Sequence, residues 1–181
     1  MNVRWLLPLV AAPVAQVAYA AQYMTIEQAQ RAAFPDANAF AAIALDKAAS
    51  GVPGAPPGWS PKVWQARAGE RSLGWLLVDQ VIGKSELITY AVAIDSRGAV
   101  ISVEVLEYRE SHGGEIRLAG WRKQFVGKTA ADAVELNKDI RNISGATLSC
   151  RHVTEGVQRL LLAGREILRR DGSEIPAHGN G

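Results

Sequence analysis

The stretch that decides the fold is Asn142-Ile143-Ser144-Gly145-Ala146-Thr147-Leu148-Ser149-Cys150-Arg151-His152. Its residues are mostly small or hydroxyl-bearing, and it leads directly into a segment whose apolar residues recur at spacings of three and four. Such spacing is typical of one buried face of a helix. The sequence therefore predicts a tight turn that opens a C-terminal helix. The apolar face consists of Val153, Val157, Leu160, Leu161, Gly164, Ile167 and Leu168.

The start of this helix is a candidate phosphate site. The first N–H groups of a helix have no partner within it, and the positive end of the helix dipole lies there. Gly145 allows an anion to approach the backbone, and Thr147 and Ser149 carry hydroxyls. The local chemistry also fits an ordinary helix cap, in which Thr147 or Ser149 bonds a backbone N–H and nothing is bound.

The string Ser144-Gly145-Ala146-Thr147-Leu148-Ser149 resembles the flavinylation motif of the FMN-binding domain family. This family includes the periplasmic flavoprotein subunits of the Na⁺-translocating NADH:quinone oxidoreductase and of the Rnf complexes. In it, a flavin transferase joins FMN to the motif threonine through a phosphoester. The resemblance implies FMN as the cofactor and Thr147 as its acceptor. It assigns the neighbouring motif residues to the cofactor as well: Ser144, Gly145, Ala146 and Ser149.

One position departs from the family pattern. An aspartate usually stands three residues before the motif serine, and this chain has Arg141 there, with Asp139 as the nearest carboxylate. Either a variant transferase accepts this sequence, or FMN is held without the covalent link.

A loop between residues 107 and 115 is the second candidate segment. Two glycines after an apolar strand mark a place where a ligand can approach the backbone, although a solvated polar turn has the same composition. The family carries a Glu-Thr-Pro-Gly-type loop here that lines the isoalloxazine ring. The resemblance implies that Glu110, Gly113 and Gly114 contact the cofactor, with His112 as a neighbour.

The middle of the chain predicts an α+β fold, with an antiparallel meander flanked by helices. Three β-rich runs follow one another through short turns. A helix is predicted over Thr25–Phe34, and Phe40–Leu45 is either a strand or a helical turn. A short helix containing Trp121 and Phe125 contributes to the core. The three strands are Trp75–Ile82, Leu87–Ile94 and Ala99–Leu106.

The N-terminus has the pattern of a secretory signal peptide. Arg4 precedes a short apolar run, and Ala18-Tyr19-Ala20 is an A-x-A cleavage site. We expect cleavage after Ala20 and a periplasmic protein, with an uncleaved membrane anchor as the alternative. The predicted organisation is a signal peptide (1–20), an N-terminal helix and Pro/Gly-rich loop (21–62), an FMN-binding domain (63–170) and a flexible tail (171–181).

Composition narrows the function classes. With 20 basic and 18 acidic residues among 181, the net charge of +2 does not favour nucleic-acid binding. Cys150 is the single cysteine, which excludes an intrachain disulfide, and we expect it to be buried. His112, His152 and Cys150 have no metal-ligand spacing, so no metal is expected.

These observations predict an exported FMN-binding electron carrier rather than an enzyme that turns over a substrate. Its expected partners are a flavin transferase and a membrane-bound redox protein. The alternative is a cofactor-free exported binding module of the same fold. A serine hydrolase using Ser144 or Ser149 is disfavoured, because no nucleophile elbow or oxyanion-hole motif accompanies either serine.

Overall fold

A six-stranded antiparallel sheet forms the centre of the fold, in a computed structural model that describes residues 21–45 and 51–170. The strands are β1 Ala21–Gln22, β2 Ala39–Ile43, β3 Lys62–Ala68, β4 Arg71–Ile82, β5 Leu87–Asp95 and β6 Val100–Tyr108. The helices are α1 Ile26–Ala33, α2 Ala119–Arg122 and α3 Thr147–Arg170. The strand order β1-β6-β5-β4-β3-β2 makes β2 to β6 a meander, with β1 added at its edge. The predicted α+β fold is confirmed.

Two strands have no counterpart among the predicted elements. β3 carries Gln65 and Arg67 in a mixed pattern of buried and exposed residues, and it is a strand because it pairs with β4 on one side and β2 on the other. β1 is only two residues long and pairs with the end of β6. Residues 40–45 were open between a strand and a helical turn, and pairing with β3 makes residues 40–43 a strand.

Helix α3 lies directly on β5 because two of its residues lack side chains. A Cβ at Gly156 would lie 2.1 Å from the Tyr90 hydroxyl oxygen, and one at Gly164 would lie 2.6 Å from Cδ1 of Ile94. The predicted apolar face of α3 is buried here: Val153, Val157, Leu160, Leu161, Ile167 and Leu168 all belong to this core. Cys150 is buried as expected.

The opposite face of the sheet is covered by α1. Thr25 caps this helix by a reciprocal pair of bonds with Gln28, and the helix buries Ala29 and the following Phe34 against β4, β5 and β6. A helix was predicted over this segment, and it is confirmed. Both faces of the sheet are therefore packed, and the ends of its strands and turns are left to form a site.

The segment between β6 and α3 is mostly irregular. The predicted short helix is α2, extended by a 3₁₀ turn at Lys123–Phe125, and the rings of Trp121 and Phe125 pack edge to face at 5.2 Å. Residues 129–136 contain turns and no helix. Val134, within this segment, and Asn137, directly after it, adopt positive φ values of 45° and 67°.

The predicted signal peptide (1–20) and tail (171–181) lie outside the described residues. Among the helices that are described, none is long and apolar enough to cross a bilayer.

Candidate functional site

A cavity of about 600 Å³ opens at the N-terminal end of α3. This volume is within the usual range of small-molecule sites. Three segments that are distant in sequence line it: the β4–β5 turn, the loop after β6 and the start of α3. The lining residues are Lys84, Ser85, Glu110, Ser111, His112, Gly113, Gly145, Ala146, Thr147, Leu148 and Ser149.

The structure brings most of the sequence-predicted site residues to this cavity. Six of them line it: Glu110, Gly113, Gly145, Ala146, Thr147 and Ser149. Ser144 is exposed and precedes the lining segment, and Gly114 begins the 3₁₀ turn Gly114–Arg117 instead of lining the cavity. Lys84 and Ser85 had not been singled out, because their sequence pattern indicates only a turn.

The start of α3 presents unpaired backbone donors to the cavity. The first backbone bond of the helix runs from Cys150 N to Ala146 O at 2.8 Å. Within residues 21–45 and 51–170, the N–H groups of Thr147, Leu148 and Ser149 have no hydrogen-bond acceptor. Such groups at a helix start are suited to an anion.

Neither candidate hydroxyl caps the helix. Thr147 Oγ1 accepts a bond from Nδ2 of Asn142 at 3.0 Å, and Oδ1 of the same amide accepts from Ile143 N at 2.9 Å. Asn142 is thus fixed at both ends of its amide and orients the Thr147 hydroxyl, whose hydrogen remains free. Sequence reasoning did not assign Asn142 a role, although its place next to the motif was a signal.

Tyr108 links two walls of the cavity. Its hydroxyl donates to the carbonyl oxygen of His112 and lies 3.1 Å from Ser149 Oγ. Because its one hydrogen goes to the carbonyl, Ser149 donates to the Tyr108 oxygen. Burial raises the pKa of Tyr108 above its ordinary value, and the hydroxyl stays protonated. The Ser149 hydroxyl is therefore used inside the protein, and its N–H group remains for a ligand.

Gly113 lies where Tyr108 and Ser149 meet. Its φ is +84°, and a Cβ there would lie 2.8 Å from the Tyr108 oxygen and 3.0 Å from Ser149 Oγ. Only glycine adopts this conformation without strain and leaves room for both hydroxyls.

Glu110 holds the third wall. Its Oε1 accepts hydrogen bonds from the backbone N–H groups of Lys84, of Ser85 at 2.5 Å and of Glu86 at 2.9 Å. Burial alone would raise the pKa of Glu110, but these three donors bring it below its ordinary value. The glutamate that the resemblance assigned to the ring thus directs one carboxylate oxygen at the β4–β5 turn.

Asp139 does not stand in for the missing family aspartate. It pairs with Lys128 at 2.8 Å and accepts from the N–H groups of Val134 at 3.1 Å and Glu135 at 2.6 Å. Burial raises the pKa of Asp139, but Lys128 and the two N–H groups hold it below its ordinary value. Arg141 itself has an exposed side chain.

Neither His112 nor His152 pairs with a candidate serine nucleophile. His112 Nδ1 lies 2.8 Å from Ser111 Oγ, and His152 Nδ1 lies 2.6 Å from the carbonyl oxygen of Ile82. Across the described ranges, no group of three or more His, Cys, Asp or Glu residues is arranged to hold a metal ion.

Residues 83–162 match the family model of the FMN-binding domain. The match covers less than half of the chain, but it contains all three segments that line the cavity. It indicates a flavin-binding protein with FMN as its cofactor. No curated protein sequence matches the chain significantly. The finer resemblance, to the subunits of the NADH:quinone oxidoreductase and Rnf complexes, stays a prediction.

The residues present fit FMN. Unpaired N–H groups at residues 147–149 suit its phosphate, and the matched region 83–162 provides a cavity of about 600 Å³ beside them. Gly145 is exposed and keeps the adjoining backbone accessible, since even a Cβ there would meet no atom within 4 Å. The cofactor would thus be held mainly by backbone groups at its phosphate.

Proposed function

We propose that the protein is an exported electron carrier that holds FMN in this cavity, with its phosphate at the start of α3. The observation that carries the proposal is the set of unpaired N–H groups of Thr147, Leu148 and Ser149, which open into the cavity of a matched FMN-binding domain. FMN supplies one- and two-electron chemistry when bound. The chain has to bind it, orient it and leave it accessible to a redox partner.

We also propose that FMN is joined to Thr147 through a phosphoester. The hydrogen bond from Asn142 holds Thr147 Oγ1 in one orientation and leaves the hydroxyl hydrogen free. In the attachment step, the Oγ1–phosphorus bond forms while the leaving group of an activated FMN donor departs. The partner transferase presents that donor and accepts the proton. Covalent attachment prevents loss of the cofactor outside the cytoplasm.

An electron carrier fits the cavity better than a substrate-turnover enzyme does. The Ser149 hydroxyl is bonded to Tyr108 rather than to a histidine, and Glu110 is bonded to backbone N–H groups. Among the lining residues, the serine that pairs with a histidine is Ser111, whose Oγ lies 2.8 Å from Nδ1 of the adjacent His112. In the described part of the chain no third side chain orients this imidazole, as a nucleophile–base pair requires. Electrons would therefore pass between FMN and a membrane-bound redox protein.

The alternative is a cofactor-free binding module of the same fold. Arg141 stands where the family has an aspartate, and Asp139 is occupied by Lys128, so neither residue offers a free carboxylate to a transferase. If the transferase requires that carboxylate, the chain remains unmodified.

Intact-mass spectrometry of the exported protein, produced with and without a flavin transferase, tests the proposal. We expect a mass increase of one FMN only with the transferase, and a peptide map that places it at Thr147. Thr147→Val keeps the side-chain shape and removes the hydroxyl, so the increase should be lost. Thr89→Val is the matched control, because Thr89 lies on β5 and does not line the cavity.

Each outcome has a distinct meaning. A yellow protein that releases FMN on denaturation would retain the carrier and overturn the covalent link. A colourless protein at the apo mass in both samples would overturn FMN binding and favour the cofactor-free module.

A further inference from the structure

The β4–β5 turn, residues 83–86, is hydrogen-bonded to two other segments of the chain as well as within itself. Gly83 N donates to Glu86 O at 2.8 Å, which closes the turn. Glu110 accepts from the three N–H groups at residues 84–86, and His152 Nδ1 lies 2.9 Å from Gly83 O. The turn is therefore held by the loop after β6 and by α3 together, and it forms a fixed wall of the cavity.

Glycine at position 83 makes this attachment feasible. A Cβ there would lie 2.7 Å from Glu110 Oε1 and 3.0 Å from Cδ1 of Ile88. Any side chain at Gly83 would push the carboxylate away from the turn.

The turn places an unpaired cation at the cavity. Lys84 lines the cavity, is exposed, and forms no salt bridge in the described part of the chain. By contrast, Arg109 on the neighbouring loop pairs with Glu107 at 2.9 Å. Glu110 is the carboxylate that lines the cavity, and although burial raises its pKa, the three N–H donors and the nearby charge of Lys84 hold that pKa below the ordinary value. Among the lining residues, Lys84 is the one lysine or arginine.

The turn and the N–H groups at residues 147–149 are different segments of the cavity lining. Gly113, at one end of the loop, adjoins Ser149 at the start of α3, whereas Glu110, at the other end, holds the turn. With a phosphate at the N–H groups of residues 147–149, the lining left for the flavin ring consists of the β4–β5 turn at Lys84 and Ser85 and the loop from Glu110 to Gly113.

We propose that Lys84 provides the positive charge that stabilises the reduced flavin ring, and that the β4–β5 turn is the wall that the ring faces. This inference rests on the proposed function. Addition of two electrons and one proton to the neutral ring leaves one negative charge on it. The electrons come from the membrane-bound redox protein, and the proton comes from solvent. A cation beside the ring favours that charge and raises the reduction potential.

The test is the midpoint potential of the FMN-loaded protein. In Lys84→Met we expect the ratio of reduced to oxidised flavin at a fixed potential to fall about tenfold, which is about 30 mV for a two-electron couple. Lys84→Arg should restore the wild-type potential, and Lys84→Glu should lower it further than the methionine variant does. Lys62→Met is the control, because Lys62 is an exposed β3 residue that does not line the cavity.

Flavin content and thermal unfolding are measured on the same samples. Glu110 bonds the backbone of Lys84 rather than its side chain, so the methionine and arginine variants should fold as the wild type does. An unchanged potential in a fully loaded Lys84→Met protein would overturn the inference alone. A lower flavin content of Lys84→Met with an unchanged midpoint potential would also overturn it, because Lys84 would then contribute to binding the FMN phosphate and not to the charge of the ring. A wild-type protein without flavin would overturn this inference and the proposed function together.

Discussion

The hydroxyl of Tyr108 and Oγ of Ser149 lie 3.1 Å apart and join the end of β6 to the first turn of α3. The two residues are 41 positions apart in sequence. Through the carbonyl of His112, the same tyrosine also holds the loop that contains Gly113. Two of the three walls of the cavity therefore depend on one buried hydroxyl.

Tyr108→Phe should loosen both walls without opening a cavity in the core. The change leaves the Ser149 hydroxyl and the His112 carbonyl without their partner, at a cost of about 1–3 kcal/mol in the free energy of unfolding. Urea unfolding of the apoprotein measures this cost. FMN titration without transferase should show weaker binding. Tyr23→Phe is the matched control, because Tyr23 is exposed and stacks under Arg117 away from the cavity. A variant with wild-type stability and affinity would contradict the role given to Tyr108.

Gly113→Ala should destabilise the protein more than Gly145→Ala does. Both glycines line the cavity with nearly the same backbone conformation, at φ values of +84° and +85°. A Cβ at Gly113 meets Tyr108 and Ser149, whereas one at Gly145 meets open space. We expect about 1 kcal/mol of backbone strain in each variant and about 1–3 kcal/mol more at Gly113 from the clash. Denaturant unfolding of the two proteins measures the difference, and equal stabilities would show that the loop moves freely.

Glu110→Gln should remove a pH-dependent part of the stability. The pKa of Glu110 is below its ordinary value in the folded protein, so ionisation of this side chain stabilises the fold above the unfolded pKa of about 4.3. That contribution is lost as the pH falls through the lower, folded pKa. The wild type should therefore exceed the variant in stability at pH 7, and the difference should shrink towards pH 3. Urea unfolding across this range measures it. A difference that stays constant with pH would contradict the assignment.

Much of the fold could be predicted from local patterns. Alternating and continuous apolar runs predicted β4, β5 and β6, and the spacing from Val153 to Leu168 predicted α3. β3 was not predicted, because its polar residues interrupt the alternation of apolar and polar side chains. It is a strand because it pairs with both β2 and β4. Position in a sheet outweighed the local propensity of this segment.

The candidate site was predictable only where a motif marked it. The residues from Gly145 to Ser149 and the loop from Glu110 to Gly113 were singled out, and both line the cavity. Lys84 and Tyr108 were not, since a lysine in a turn and a tyrosine ending a strand carry no local signal. Lys84 is held at the cavity by Glu110, which is 26 positions away in sequence, and Tyr108 bonds Ser149, which is 41 positions away.

By itself the sequence determined the antiparallel meander, the C-terminal helix and the Ser-Gly-Ala-Thr turn at its start, because these depend on residues that are neighbours along the chain. The tertiary structure alone decided which groups remain available to a ligand. In the folded chain the Ser149 hydroxyl is bonded to Tyr108, and a Glu110 carboxylate oxygen is bonded to the β4–β5 turn. Among the described residues, the N–H groups at residues 147–149 remain unpaired. The physical reason is that a hydrogen bond between distant segments forms only when packing brings them within about 3 Å of each other.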